Sequence, residues 1–212
     1  PDRGQSHAIN KGFDRATGKI LGWLNSDDNY KMETLGVVVE ALKANPDAGA
    51  VVGAGEMADN SHNIIRLVKP FDVTVEALYK WIDRFFMQPS CFFTNKVWES
   101  CGPLDEKIHF AMDLDLWLRI AKKFSFVRTD AILSTSLVHM DAKTTSSADL
   151  SRMDAALVIL RHGGFREVLN HLVKIARSLF ESNEQKRKIL NVFSQPERWW
   201  KMLRQLLIRF RQ

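Results

Sequence analysis

Ile20-Leu21-Gly22-Trp23-Leu24 is a short apolar run that stops at Asn25-Ser26-Asp27-Asp28. A run of that length closed by turn formers reads as a buried strand, and strands disfavour Asp. Two adjacent carboxylates repel each other unless a cation or hydrogen bonds offset the charge. In an open α/β sheet the carboxyl ends of the strands are where ligands sit. Two readings of the turn stand side by side. It is an Asx-rich turn with no chemistry, since Asn, Ser and Asp are ordinary turn formers. Or it seats a hard divalent cation, Mg²⁺ or Mn²⁺, which takes few carboxylates and shares phosphate oxygens.

The flanking pattern supplies the sheet. Gln5–Arg15 reads as a helix with Ala8, Ile9 and Phe13 on one face, and Met32–Ala44 as a second, stopped by Pro46. Strands are expected over Ala50–Gly53 and Ile64–Val68, with a turn at Asn60–Asn63 between them. A short helix over Val73–Trp81, a strand at Cys91–Phe93, a helical turn at Lys96–Ser100 and a helix over Asp113–Lys123 follow. Phe124–Val127 and Ile132–Val138 read as two further strands. Alternation at this spacing argues for an α/β sheet flanked by helices.

After Asp149 the pattern is helical throughout: Leu150–Arg161, Phe165–Phe180, Gln185–Phe193 and Glu197–Phe210. Charge divides at the same place. Residues 1–150 carry 17 Lys+Arg against 20 Asp+Glu, whereas Ser151 onward carries 13 against 5. Two domains are therefore expected, residues 1–148 and a basic, amphipathic helical extension 149–212. No stretch approaches the roughly 20 apolar residues of a membrane-spanning helix. Cys91 and Cys101 are too few for a disulfide framework and read as small buried residues of a reducing compartment. The chain opens at Pro1 with no signal peptide, so a cut end is expected.

Five ordered segments carry a resemblance. Gly4-Gln5-Ser6-His7-Ala8-Ile9-Asn10-Lys11-Gly12-Phe13 leads through Ala16-Thr17-Gly18 to Gly22-Trp23-Leu24-Asn25-Ser26-Asp27-Asp28. Gln88-Pro89-Ser90-Cys91-Phe92-Phe93, Gly102-Pro103-Leu104-Asp105-Glu106 and Asp113-Leu114-Asp115-Leu116-Trp117-Leu118-Arg119 follow, and His139 with Lys143-Thr144 closes the series. Together they resemble glycosyltransferase family 2 of the GT-A fold, over about residues 1–145. The strand, turn and second strand with which family members usually begin have no counterpart here. The resemblance therefore implies a GT-A-like catalytic domain entered partway, after its nucleotide-base half, with a C-terminal helical extension.

The resemblance also distributes roles. Asn25-Ser26-Asp27 occupies the place of the family's Asp-x-Asp motif, so Asn25 stands for its first carboxylate and contacts the donor. Asp27 is the expected metal ligand, Asp28 a second ligand or a turn stabiliser, and His139 a third ligand or a diphosphate contact. Asp113 is the expected general base. It opens a helix, where the dipole favours a carboxylate, and capping alone is its other reading. Asp115 lies roughly 200° further round that helix and reads as a structural partner. Gly4 and Gln5 would present backbone amides to a donor phosphate. Asn10 and Lys11 would face the nucleotide, and Lys143 would meet phosphate as a point charge. Gln88 and Ser90 would line the acceptor pocket, with Trp117 either stacking on an acceptor sugar or filling the core.

The function implied is an inverting, Mn²⁺- or Mg²⁺-dependent glycosyltransferase. It would move a sugar from a nucleotide-diphosphate donor to a saccharide or lipid-linked saccharide acceptor in polysaccharide or lipopolysaccharide synthesis. The alternative is a non-catalytic remnant serving as a membrane-surface or partner-binding module. Trp199 to Arg211 joins apolar and cationic residues in a way that suits a membrane interface or a protein partner. The expected location is cytoplasmic, with peripheral contact at the inner face of the membrane. No nucleic-acid-binding module is recognised, so nucleic acid is not an expected partner.

Overall fold

The computed structural model describes residues 1–138 and 148–181. The helices expected over 185–193 and 197–210, the basic tail, His139 and Lys143 lie outside these residues. The elements run α1 (Gln5–Arg15), β1 (Ile20–Gly22), β2 (Asp28–Tyr30), α2 (Thr34–Ala44), β3 (Ala48–Ala58), β4 (Ile64–Val68) and α3 (Val75–Leu78). A 3₁₀ turn at Gln88–Ser90 leads into β5 (Cys91–Thr94), α4 (Asn95–Cys101), α5 (Met112–Ala121), β6 (Ser125–Leu137), α6 (Ala148–Arg161) and α7 (Phe165–Glu181).

The six strands form one mixed sheet in the order β1-β5-β3-β6-β2, with β4 against β3. β3 and β6 are parallel, and every other pair is antiparallel. Central β3 explains the layering. Its side chains alternate between faces, so Ala50 and Val52 join Phe13, Phe93, Trp117 and Leu116 in one core. Val51 joins Val38 and Leu42 of α2, with Phe92 and Leu133, in a second core on the opposite face. A strand covered on both sides must be apolar along its length, and Ala50, Val51 and Val52 are indeed fully buried.

Three departures from the sequence reading have physical causes. Asp28-Asn29-Tyr30 has little strand propensity, yet it pairs antiparallel with Ser136, Thr135 and Ser134 of β6, so the ladder overrides local preference. Helix α2 begins at Thr34 rather than Met32, because the Thr34 hydroxyl is drawn into the interior and donates to the Leu133 carbonyl at 2.5 Å. β6 is one strand where two were expected. Val52 faces Arg128 and Ala54 faces Ile132, so Thr129, Asp130 and Ala131 bulge out without ending the ladder.

The chain divides into two compact units, Pro1–Leu169 and Asn170–Gln212. Helix α6 lies within the first, and its Ala155, Ala156, Val158 and Ile159 sit in the larger core. The second is described through the continuation of α7 to Glu181. Among the described residues, no helix is long and apolar enough to cross a membrane.

Candidate active site

The carboxylate turn joins β1 to β2, and Asn25 is its hub. The Asn25 carbonyl oxygen accepts from Trp23 Nε1 at 2.9 Å and from Gln5 Nε2 at 3.3 Å. Its amide nitrogen donates to Asp28 Oδ2 at 2.9 Å and to Gln88 Oε1 at 3.2 Å. All four hydrogen-bonding positions of this side chain face the protein. That arrangement differs from the donor contact expected of Asn25, and it requires an amide: a carboxylate here could not donate to Asp28 and Gln88.

Asp28 is buried at 8% exposure on β2, opposite Ser136. Burial raises its pKa, bonds from Ser136 and Asn25 oppose that shift, and the neighbouring charge of Asp27 adds to it. Asp27 is half-buried beside it. Two adjacent carboxylate side chains, one of them desolvated, are hard oxygen donors, a donor type that fits Mg²⁺ or Mn²⁺ completed by phosphate oxygens. Among the described residues no group of three or more His, Cys, Asp and Glu could hold a metal by itself.

The segment Gln88–Cys91 runs from this turn to the interior. Gln88 Nε2 donates to the Trp23 carbonyl at 2.6 Å while its Oε1 accepts from Asn25. Ser90 is fully buried. Its hydroxyl bonds the Ala54 carbonyl at 2.9 Å and Ser134 Oγ at 2.6 Å. Ser90 therefore pins the segment to the sheet and presents no group to an acceptor, a correction to the sequence reading. Gly55 makes the close approach possible: a Cβ there would run into Met87 and lie 2.9 Å from Ser90 Oγ. Buried Cys91 follows. Its thiol pKa is pushed up by burial and then by the nearby negative charge of Asp113.

Asp113 lies between Met112 and Leu114, which share the larger core with Cys91. It occupies the first turn of α5, and its Oδ1 accepts from the Leu114 amide at 2.7 Å. Desolvation, aided by the charge of Asp154 and opposed by backbone bonds, raises its pKa to about 6. Asp115 points elsewhere. It holds Arg119 Nε at 2.9 Å and His162 Nε2 at 2.9 Å. Burial pushes its pKa up, but these partners outweigh burial and the net shift is downward. The structural role expected of Asp115 is what the geometry gives. Trp117 is 0% exposed, packed against Phe86 and Phe93 with ring centroids 5.7 and 6.1 Å away. No ring face is left for a sugar, so of its two readings the core one stands.

On α1, Gly4 takes a φ of 142° at the N-cap, a conformation that favours glycine. Asn10 is 7% exposed, and its amide brackets Leu104, donating to the Leu104 carbonyl at 3.0 Å and accepting the Leu104 amide at 2.8 Å. That pairing occupies the side chain expected to face a nucleotide. Lys11 is exposed and pairs with Asp2 at 2.8 Å. A surface depression on α2, lined by Met32, Gly36, Val37 and Thr129, contains none of the candidate residues.

The sequence reading missed Ser134 and Ser136, whose alternation on β6 matches Tyr30 and Asp28 across the ladder. It also missed Asp154. The Asp154 Oδ2 accepts from the Phe110 amide at 2.8 Å and the Ala111 amide at 3.2 Å, just ahead of α5. No local motif announces a carboxylate that acts 44 residues from its partner.

A mixed sheet with helices on both faces and acidic turns at strand and helix ends is a GT-A-like α/β fold. The crystal structure of S. aureus TarS 1–349 is similar at a TM-score of 0.57 and 14% identity, covering 86% of this chain and 55% of that one. The same protein in complex with UDP-GlcNAc is similar at 0.51 and 15%, covering 85% and 54%. A looser likeness, at 0.47 and 17%, links the chain to the mannosyltransferase PcManGT of Pyrobaculum calidifontis, solved with GDP-Man and Mn²⁺, covering 98% and 65%. The chain spans about half the length of the TarS 1–349 structures. No curated protein sequence matches it. The model of glycosyl transferase family 2 matches residues 1–100 of the chain.

Proposed function

We propose that the chain supplies the metal and general-base side of an inverting, metal-dependent glycosyltransferase that uses a nucleotide-diphosphate sugar. One observation carries the reading. The Gln88–Ser90 turn is clamped to the Asn25–Asp28 turn, and Cys91, the next residue, shares the larger core with Met112 and Leu114, which flank Asp113 on α5. Two acidic groups suited to different tasks therefore belong to one packed unit.

Glycosyl transfer requires the leaving diphosphate to be neutralised and the acceptor hydroxyl to lose its proton. Asp27 and Asp28 would hold the cation, which when bound supplies Lewis-acid neutralisation of the diphosphate. Asp113 accepts the hydroxyl proton. With a pKa near 6 it is ionised at neutral pH and yet more basic than an ordinary carboxylate, which suits a general base. Asn25 holds Asp28 and Gln88 in register, and Gln5 reaches the turn from α1. Inversion follows from a single displacement at the anomeric carbon, with oxocarbenium character in the transition state. The family match over residues 1–100 and the fold support the reading. A saccharide or lipid-linked acceptor in surface-polysaccharide synthesis, with the basic C-terminal helices against a membrane surface, is the setting we propose.

Calorimetry with UDP-, GDP- and dTDP-sugars in the presence of Mn²⁺ tests donor binding. Binding of one donor that chelation with EDTA abolishes is the expected result. Silence across the panel removes the claim that these residues bind a donor. Liposome co-sedimentation with and without residues 196–212 tests the membrane setting, which equal binding by both forms would refute.

A further inference from the structure

Helix α6 grips α5 at two points that bracket the proposed base. Ahead of Asp113, the Asp154 Oδ2 takes the amides of both Phe110 and Ala111. Behind it, His162, the residue after α6, meets Asp115 at 2.9 Å. The first amides of a helix lack intrahelical acceptors, and a side chain at the N-cap normally supplies one. The N-cap residue of α5 is Ala111, which has no such group and makes no side-chain cap bond. From another helix, Asp154 takes the N-cap amide of Ala111 and that of Phe110 before it, while Asp113 itself accepts from Leu114.

We propose that Asp154 is a positioning residue for Asp113: its carboxylate anchors the Phe110–Ala111 entry of α5 from α6 and so fixes the turn on which Asp113 stands. The proposal rests on the assignment of Asp113 as the general base. Two features of the geometry set its chemistry. Both amides converge on one oxygen, so the carbonyl of an Asn can serve both. The anchor is also charged, and a second negative charge near Asp113 favours its protonated form. Other groups around Asp113 are accounted for. Cys91 of β5 is a buried thiol with a pKa raised well above its usual range. On its own helix, Asp115 and Arg119 pair with each other, and Asp115 also holds His162. Burial is the larger cause of the readiness of Asp113 to take a proton, and Asp154 is the charged neighbour that adds to it.

Position and charge separate with two substitutions in the full chain, Asp154→Ala and Asp154→Asn. Amide exchange is read at Phe110 and Ala111 against Val51 in the sheet, and the Asp113 carboxyl is titrated by carbon NMR, assigned with Asp113→Asn. In Asp154→Ala, exchange at Phe110 and Ala111 should quicken about fivefold while Val51 is unchanged, as loss of one such anchor implies. In Asp154→Asn, protection should persist while the Asp113 midpoint falls below about 6. The acid limb of any transfer activity should shift down with it. Unaltered exchange in the Ala variant together with an unmoved midpoint in the Asn variant overturns the proposal. Where Asp154→Ala does not fold, the midpoint in Asp154→Asn decides alone. Neither readout depends on turnover, so an inactive wild-type chain would sink the transferase reading without deciding this one.

Discussion

The Asn25 amide donates to Asp28 Oδ2 at 2.9 Å, and a carboxylate at position 25 could not make that bond. Asn25→Asp would set two carboxylates in contact and leave Gln88 Oε1 without a donor from residue 25. We expect a loss of about 1–3 kcal/mol at pH 7 by chemical denaturation. The loss should shrink towards pH 4, because Asp28 already has a raised pKa and can take up the proton. An equally stable variant at pH 7 would show that the hub is not structural.

Asp113→Asn removes the proposed proton acceptor and keeps the shape of the side chain. Transfer by the complete enzyme should fall about 10²–10⁴-fold while donor affinity, measured by calorimetry, is retained. Undiminished turnover refutes the assignment.

The raised pKa of Asp113 fixes two signs. Activity should rise with pH through about 6, as the base ionises. Stability moves the other way. The folded-state pKa lies above the ordinary value of 3.8, so the folded protein holds the proton more tightly. That preference is fully present below about pH 4 and is lost as pH climbs to about 6. Above that, the ionised buried group costs about 1–3 kcal/mol, reduced by whatever solvent reaches it. Asp113→Asn should therefore melt higher than wild type at pH 8 and at nearly the same temperature at pH 4.

Asn10→Ala removes both bonds to the backbone of Leu104 and leaves a buried amide and carbonyl unmatched. A loss of about 2–4 kcal/mol is expected. A change confined to donor affinity, with the melting temperature intact, would restore the nucleotide-facing role read from the sequence.

Trp117→Ala should cost about 3–5 kcal/mol through the cavity it opens. Acceptor KM in the folded Trp117→Phe variant should match wild type, since the ring touches only protein.

Much of the frame was legible because periodicity reports burial. Helix α1 and strand β4 fall where their patterns placed them, and the cores on either face of β3 follow from an unbroken apolar run. The pairing of Asp28–Tyr30 with β6 was not legible, since three polar residues form a strand only when a long-range partner supplies the ladder. The same limit applies at the site. Asp113 announced itself through a motif, whereas the duties of Asn10, Ser90 and Asn25 depend on which distant groups the fold delivers to them. A polar side chain in a helix or turn reads alike whether it faces a ligand or a backbone amide. Trp117 shows the apolar version of that ambiguity, which its apolar neighbours Leu114 and Leu118 already weighed towards the core.

The bond from Ser90 to the Ala54 carbonyl ties the strip that leads inward from the carboxylate turn to β3, the central strand of the sheet. A lineage bearing this frame has little freedom to move its carboxylates, and considerable freedom to change what they serve. Substitutions at Gln88, which is only partly enclosed, would loosen that frame, because its amide clamps Trp23 and Asn25. Where Gln88 is kept, the setting of the turn's carboxylates would pass unchanged to each descendant.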